Sequence, residues 1–328
     1  MIVSLVAACS SGPQLQKGPW ADESITSLKR TVMTAEWDTL ATRGGDAEGT
    51  LGHLWLSAAD SSMFVAWDNS TQEVHAFDHD LRPLWQFGRK GAGPGEFRQG
   101  RSIAFTPAGE ILIFDVATQR MTFLTRAGEL RTTVVLEERL DQVVPWTDGK
   151  LLGTAPRRKG SPFVVMRDDG RVLTSLDVPW DGWTDLHPLL QSGYIASDPT
   201  AATAAFIMIH GDGWFAVGEQ PGASYLGRYV EHLEMPSVIE KSDLQLIVGA
   251  TIAGQAVSVR DGMVTILYEG KSPEARRWLD QYRLSDGSYL GSQLLPEPVS
   301  GFSSAPDGSY FVVFNDPSPT IMRLRPKR

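Results

Sequence analysis

A short turn signal, Asp-Gly or a close relative, recurs through this chain at intervals that suit one small antiparallel sheet each, and every copy runs into a hydrophobic strand. Asp148-Gly149 precedes Lys150-Leu151-Leu152, Asp212-Gly213 precedes Trp214–Val217, Asp261-Gly262 precedes Met263–Tyr268, and Asp307-Gly308 precedes Tyr310–Phe314. Asp60-Ser61-Ser62 stands likewise before Met63–Trp67. Glycine accepts the positive φ that tight hairpin turns require, and aspartate suits the position before it. None of these aspartates sits in the alternating Asp-x-Asp-x-Asp-Gly loop that wraps calcium, so the motif is read as turn chemistry.

One unit can be followed from end to end. In Arg101–Leu136, Ile103–Phe105 is a short strand, Thr106–Gly109 a turn, and Glu110–Phe114 a strand rich in β-branched and aromatic residues. After Asp115–Gln119, Arg120–Leu124 alternates as a third strand, Arg126-Ala127-Gly128 turns, and Leu130–Leu136 supplies a fourth. Four antiparallel strands make one blade of a propeller, and the repeat spacing of roughly 40 to 50 residues fits that unit. The six hairpins therefore predict an all-β, six-bladed β-propeller with blades near 51–87, 101–136, 141–176, 201–233, 251–294 and 299–324. A ring of sheets leaves an open edge unless the other terminus completes the last one. Lys29–Thr34 or Glu36–Leu40 is expected to do so.

Composition agrees. Of 328 residues, 42% are hydrophobic and 21% charged, enough for a substantial core and unlike a disordered chain. The formal net charge of -9 disfavours a nucleic-acid partner, which calls for a basic excess. The single cysteine excludes an intrachain disulfide and a cysteine metal cage. It stands in Met1–Gly12, where an apolar run ends in Ala7-Ala8, then Cys9, Ser10, Ser11 and Gly12. This resembles the lipobox of bacterial lipoproteins, which implies acylation of Cys9 and a cell-envelope location. The apolar run is short and has no Lys or Arg before it, so the signal is expected to begin upstream of Met1. The domain expectation is a signal segment at 1–9, a flexible tether at 10–26 and the propeller at 27–328. No other stretch is long and apolar enough for a bilayer, so the membrane is reached only through the lipid.

At Phe87-Gly88-Arg89-Lys90-Gly91-Ala92-Gly93-Pro94-Gly95-Glu96-Phe97 the chain resembles the NHL repeat, in which such a glycine-rich link joins one blade to the next. The resemblance is specific over about one repeat; the proline usual before the first strand is replaced by Gly100-Arg101. The chain is similar to six-bladed propeller lipoproteins of environmental bacteria, a group largely without assigned activity. The glycines are not read as a phosphate cradle, because neither a helix start nor Gly-Lys-Ser/Thr follows Gly95.

Family resemblance places ligand sites on the face formed by the inter-blade links and the loops between second and third strands. Those loops carry Arg89, Lys90, Arg98 and Arg101, then Asp115 and Arg120, then Arg157, Arg158 and Lys159, and later Lys271, Arg276 and Arg277. The sharper reading is a positive rim for an anionic ligand or acidic segment. The plainer one is solvated loop charges paired with nearby carboxylates. The longest link, Asp177–Thr200, holds Trp180, Trp183, Asp185 and His187, a set able to clasp a sugar or peptide unless the indoles serve as packing. Met235–Gly249 is a second long segment with the same ambiguity.

Neither His-Glu-x-x-His nor Gly-x-Ser-x-Gly occurs, so no local motif signals a metal or a serine nucleophile. The expectation is a non-catalytic, monomeric binding or scaffold propeller at the cell envelope, with an envelope protein or a small, anionic ligand as partner and no cofactor. An assembly factor for outer-membrane proteins is a variant of that reading. The alternative is a propeller hydrolase or lyase with calcium or another divalent cation in the channel, since propellers gather ligands from distant blades.

Overall fold

The computed structural model describes residues 18, 20, 27–44, 51–156, 158, 160–220, 222–241 and 244–327. Cys9, most of the 10–26 stretch, Arg157 and Lys159 lie outside the described residues. The chain enters through β1 (Val32–Thr34) and β2 (Trp37–Gly44). Blade 1 is β3 (Leu54–Ala59), β4 (Phe64–Asp68), β5 (Glu73–Phe77) and β6 (Pro83–Gly88). Blade 2 is β7 (Gly100–Phe105), β8 (Ile111–Asp115), β9 (Arg120–Leu124) and β10 (Leu130–Val135). Blade 3 is β11 (Gln142–Pro145), β12 (Leu151–Thr154), β13 (Phe163–Met166) and β14 (Val172–Leu176). Blade 4 is β15 (Gly193–Asp198), β16 (Thr203–Met208), β17 (Gly213–Gly218) and β18 (Tyr225–Arg228). A separate hairpin, β19 (Ser237–Lys241) and β20 (Leu244–Val248), precedes blade 5. Blade 5 is β21 (Gly254–Arg260), β22 (Met263–Tyr268), β23 (Trp278–Arg283) and β24 (Tyr289–Leu294). Blade 6 is β25 (Gly301–Ser304), β26 (Tyr310–Phe314) and β27 (Thr320–Pro326), completed on its outer edge by β2.

The protein is a six-bladed β-propeller, as the turns predict. Asp148 and Gly149 have φ of 55° and 71°, Asp261 and Gly262 of 51° and 70°. Two successive residues at positive φ match the twist of a two-residue hairpin, which is why Asp-Gly marks these corners. The closing strand is Trp37–Gly44, antiparallel to β27, while Val32–Thr34 lies parallel to β24 on the outside of blade 5.

Blade 4 departs from the expected phase. Its inner strand lies inside the segment read as a loop, 177–200, and Asp212-Gly213 joins its second and third strands instead of its first and second. The first turn of that blade is built by Asp198, whose carboxylate accepts from the backbone N–H of Thr200 (2.9 Å) and Ala201 (3.3 Å). A side chain that mimics the turn's own hydrogen bond replaces glycine there.

The core is distributed over the six seams between blades. Trp67, Ile111 and Ile113 fill the seam between blades 1 and 2, and Phe64, Phe311 and Val313 the one that joins blade 6 to blade 1. Phe64 and Phe311 stack there at 4.5 Å. The indole of Trp67 lies flat on Gly100 and that of Trp214 on Gly227, where a Cβ would collide with the ring. Each blade therefore leans on its neighbours, and the first strands are left to line the axis.

Candidate functional site

The six inner strands, β3, β7, β11, β15, β21 and β25, all contribute to one central cavity of about 680 Å³. That volume lies within the ordinary range of small-ligand pockets. The middle of the wall is built from small residues, among them Ser57, Ala58, Ala104, Ala196, Ser258 and Ser303, which keeps the axis open. The inner strands all run the same way, so their first residues mark the loop face and their last residues the opposite, hairpin face. Arg101, Tyr194, Arg276 and the exposed Trp55 stand toward the loop face. Asp60, Asp198, Arg260 and Asp261 stand at the other end.

Several contacts fix the wall. Gln142 donates to the carbonyl of Gly193 (2.5 Å) and accepts from the N–H of Ile195 (3.3 Å), while Ser102 Oγ accepts from the N–H of Val143 (3.0 Å). Blades 2, 3 and 4 are thus tied at the mouth. Asn315 does the same between blades 6 and 1, bonding both the N–H and the carbonyl of Leu54 at 2.8 Å. At the far end Arg260 reaches from blade 5 to the carbonyls of Ala59 (3.2 Å) and Ser304 (3.1 Å), narrowing the exit. Burial pulls its pKa below the ordinary arginine value, against the raising fields of Asp261, Asp60 and Asp198. Asp60 pairs with Arg126. Burial would raise its carboxyl, but the N–H groups of Ser62 and Met63 and the Arg126 guanidinium outweigh that and hold it low.

The loop residues singled out from the sequence are spread over this face, and the structure uses most of them internally. Asp115 is fully enclosed: its carboxylate accepts from the N–H groups of Arg98 (2.5 Å), Gln99 (3.2 Å), Ala117 (2.9 Å) and Thr118 (3.0 Å). Arg120 donates to the carbonyls of Gly93 (2.6 Å) and Ala92 (2.8 Å), holding the glycine link against blade 2. Arg89 pairs with Glu96 at 2.7 Å, and Arg158 stands 3.8 Å from Glu138. Lys90 is exposed and bridges in backbone to Phe97. The plainer reading of the rim charges describes these pairs.

The tryptophans pack. Trp183 is 2% exposed and meets Phe206 and Phe215 edge-on at 6.0 and 5.5 Å, and Trp180 lies 6.4 Å from Phe215. Val238 and Ile247 of the β19–β20 hairpin join the same cluster. Asp185 is exposed at the end of a 3-10 turn, and His187 caps the next one by accepting from the N–H of Leu189 (3.2 Å). These residues cover the seam between blades 3 and 4 rather than forming a clasp.

A signal for the fastening role does exist in the sequence. Asp68-Asn69-Ser70-Thr71-Gln72 and Asp115-Val116-Ala117-Thr118-Gln119 share Asp-x-x-Thr-Gln at the same blade position. Asp68 accepts from the N–H of Gly52 (2.5 Å) and Ser70 (2.8 Å) as Asp115 does from its link. Gln119 adds bonds to the carbonyls of Val116 (2.8 Å) and Leu140 (2.9 Å), and Gln72 one to Asn69 (2.6 Å).

One acid on the loop face has an altered titration. Asp212 is buried and its carboxyl is pushed up to about 6 by that burial, against the lowering effects of His232, 3.1 Å away, and of Arg228. Its folded value exceeds the unfolded one, so the folded state binds more protons between about pH 4 and pH 6, and stability falls as pH rises through that window. Asp212→Asn is expected to remove this slope. Thermal unfolding across pH 4–7 should show the variant gaining on the wild type up to about pH 6 and keeping a constant lead above it; a lead that does not change with pH would refute the assignment.

Among the described residues no three His, Cys, Asp or Glu side chains stand together as a metal would require. His53 is the histidine among the channel-lining residues.

No family model and no curated protein matches the sequence. Solved structures do match. An exported protein of Bacteroides fragilis superposes with a TM-score of 0.56 at 12% identity, covering 93% of this chain and 99% of that one. Virginiamycin B lyase from Staphylococcus aureus gives 0.54 at 10% identity, with 88% and 99% covered. The Cps50 (Swd1) propeller domain of Myceliophteria thermophila gives 0.53 at 9% identity, with 89% and 100% covered. The likeness is one of fold. An exported protein, a lyase and a Swd1 domain share it, so function has to be argued from the channel. Among the described residues, no helix is long and apolar enough to cross a membrane.

Proposed function

We propose that this protein is a non-catalytic binding propeller of the cell envelope, lipid-anchored through Cys9, that recognises a small ligand in its central channel from the loop face. The observation that carries the reading is the open cavity of about 680 Å³ walled by all six inner strands with small side chains in its middle. Such a void leaves its lining without packing partners, and a bound ligand supplies them. The NHL-like link at 87–97 and the exported neighbour in Bacteroides fragilis support the envelope setting. The lyase neighbour favours an enzymatic reading by fold alone, and the channel's donor set gives it no support.

The test is to fill the channel. Ala104→Trp and Ala196→Trp each place an indole in the cavity, and a fragment collection is screened by thermal shift against both variants and the wild type. Fragments that raise the wild-type melting temperature should lose their effect in the variants while the variants' own melting temperatures hold. Hits that survive channel filling would place recognition elsewhere. A stoichiometric metal in the purified protein, with a fall in melting temperature on adding EDTA, would turn the reading toward the lyase.

A further inference from the structure

We infer that the channel takes a small amphipathic carboxylate, its anionic group seated on Arg101 at the loop-face mouth and its apolar body pointing down the axis. The inference rests on the channel reading above and adds the chemistry of the occupant.

Arg101 differs from the paired cations of this face by having no acid or carbonyl, and from Lys90, Arg98, Lys271 and Arg276 by being half-buried where they stand exposed. Arg89 is spent on Glu96, Arg120 on two carbonyls, Arg158 lies beside Glu138, and Arg277 donates to the carbonyl of Leu295 (2.9 Å). Among the described residues the Arg101 side chain has neither a hydrogen bond nor an ion pair. Its contact is the ring of Tyr194, two blades away, with the guanidinium carbon 5.2 Å from the centroid. The cation–π contact holds the guanidinium at the mouth and leaves its N–H groups unspent, and a guanidinium fork meets a carboxylate through two parallel hydrogen bonds. The side chain is half-buried, so it has surrendered part of its water without gaining a partner.

The charges along the channel orient an occupant. The carboxylates that line it, Asp60, Asp198 and Asp261, all belong to the hairpin end, whereas Arg101 and Arg276 belong to the loop face. Arg260 does not reverse this polarity, since it is held on two carbonyls in the field of those three acids. An anion is therefore drawn to the mouth and repelled from the far end. Below the mouth, Ala58, Ala104 and Ala196 leave room for an apolar chain, and Trp55, 42% exposed at the cavity, offers it a face. The hydroxyls of Ser57 and Ser303, on adjoining inner strands, are enclosed and have no hydrogen-bond partner. Ser303 is only 6% exposed, and such a demand is met by a polar group of the ligand, directly or through a water.

Calorimetry with the full chain and three probes of one body decides the matter: phenylbutyrate, phenylbutanol and phenylbutylamine. Phenylbutyrate is expected to bind about 10-fold more tightly than the other two at low salt, with the margin shrinking as salt rises. Arg101→Met should weaken phenylbutyrate by about 10-fold and leave phenylbutanol unchanged, with Arg101→Lys between. Arg89→Met should leave all three unchanged. If Arg101→Met does not fold, the acid-to-amine ratio and its salt dependence in the wild type carry the decision. Equal binding of acid and alcohol, or preference for the amine, would overturn the carboxylate assignment and leave the channel reading standing. Binding of none of the three would overturn both.

Discussion

Asp280→Ala should destabilise the protein by about 3 to 5 kcal/mol, the cost typical of leaving one member of a buried ion pair without its partner. Asp280 is completely buried in β23, and its two carboxylate oxygens accept from Nε and Nη2 of Arg30, both at 3.0 Å. Ser292 donates a further hydrogen bond at 2.5 Å. Arg30 is enclosed from other sides as well, with the rings of Tyr268 and Trp278 at 5.0 and 5.1 Å and Glu231 at 3.8 Å. Burial works to lower its pKa, and the bonds and field of Asp280 more than reverse that. Removing the carboxylate would leave a guanidinium with one distant acid in a site built for two close bonds. Urea denaturation of the single variants and of Arg30→Met/Asp280→Leu measures this. Both singles should fall well below the wild type, and the double should recover much of the loss, because an apolar pair of similar volume carries no stranded charge. Additive losses would show that packing, not the pair, is responsible.

The same pair illustrates what the sequence does and does not make legible. A charge within Trp278-Leu279-Asp280-Gln281-Tyr282 breaks the pattern of a buried strand, so a partner is demanded, yet nothing local says that it stands at Arg30. The hairpins are legible because their cause is local: a positive φ at Gly149 or Gly262 has to be met by the residue itself. Where a side chain meets the need instead, as Asp198 does in blade 4, the turn is missed and the neighbouring Asp-Gly is assigned to the wrong corner. The channel is the least legible part. Its wall is assembled from short runs on six separate strands, and its small residues carry no motif. In the sequence Arg101 is one basic residue among many on this face; its distinction is a half-buried seat against Tyr194 of another blade, where Arg89 and Arg120 meet an acid and carbonyls and Arg98 and Arg276 stand exposed. In the sequence Asp115 and Arg120 show only as charges, and the structure uses those charges to fasten a link.

Ring closure makes the second large effect. Truncation to residues 45–328 should abolish cooperative unfolding, whereas truncation to 27–328, which gives up contacts such as the Trp20 indole N–H on the carbonyl of Gly227 (3.4 Å), should keep a single transition with a far smaller loss of melting temperature. β2 pairs with β27 along its whole length, from Trp37 opposite Pro326 to Gly44 opposite Thr320. Trp37 also donates from its indole N–H to the carbonyl of Leu294 (2.7 Å) and meets Tyr310 edge-on at 5.8 Å, so the strand ties blade 6 to blade 5 as well. Without it, blade 6 keeps three strands and β27 presents an unpaired edge. The shorter form also loses Arg30, and the Arg30→Met variant measures that share separately. If closure is the cause, the loss on truncation should exceed the Arg30→Met loss clearly. A peptide of residues 27–44 added in trans should then restore a single transition, because the vacant edge is the surface it left. A truncated ring that melts as sharply as Arg30→Met would mean that the seam of Phe64, Phe311 and Val313 holds blades 6 and 1 together without the terminal strand.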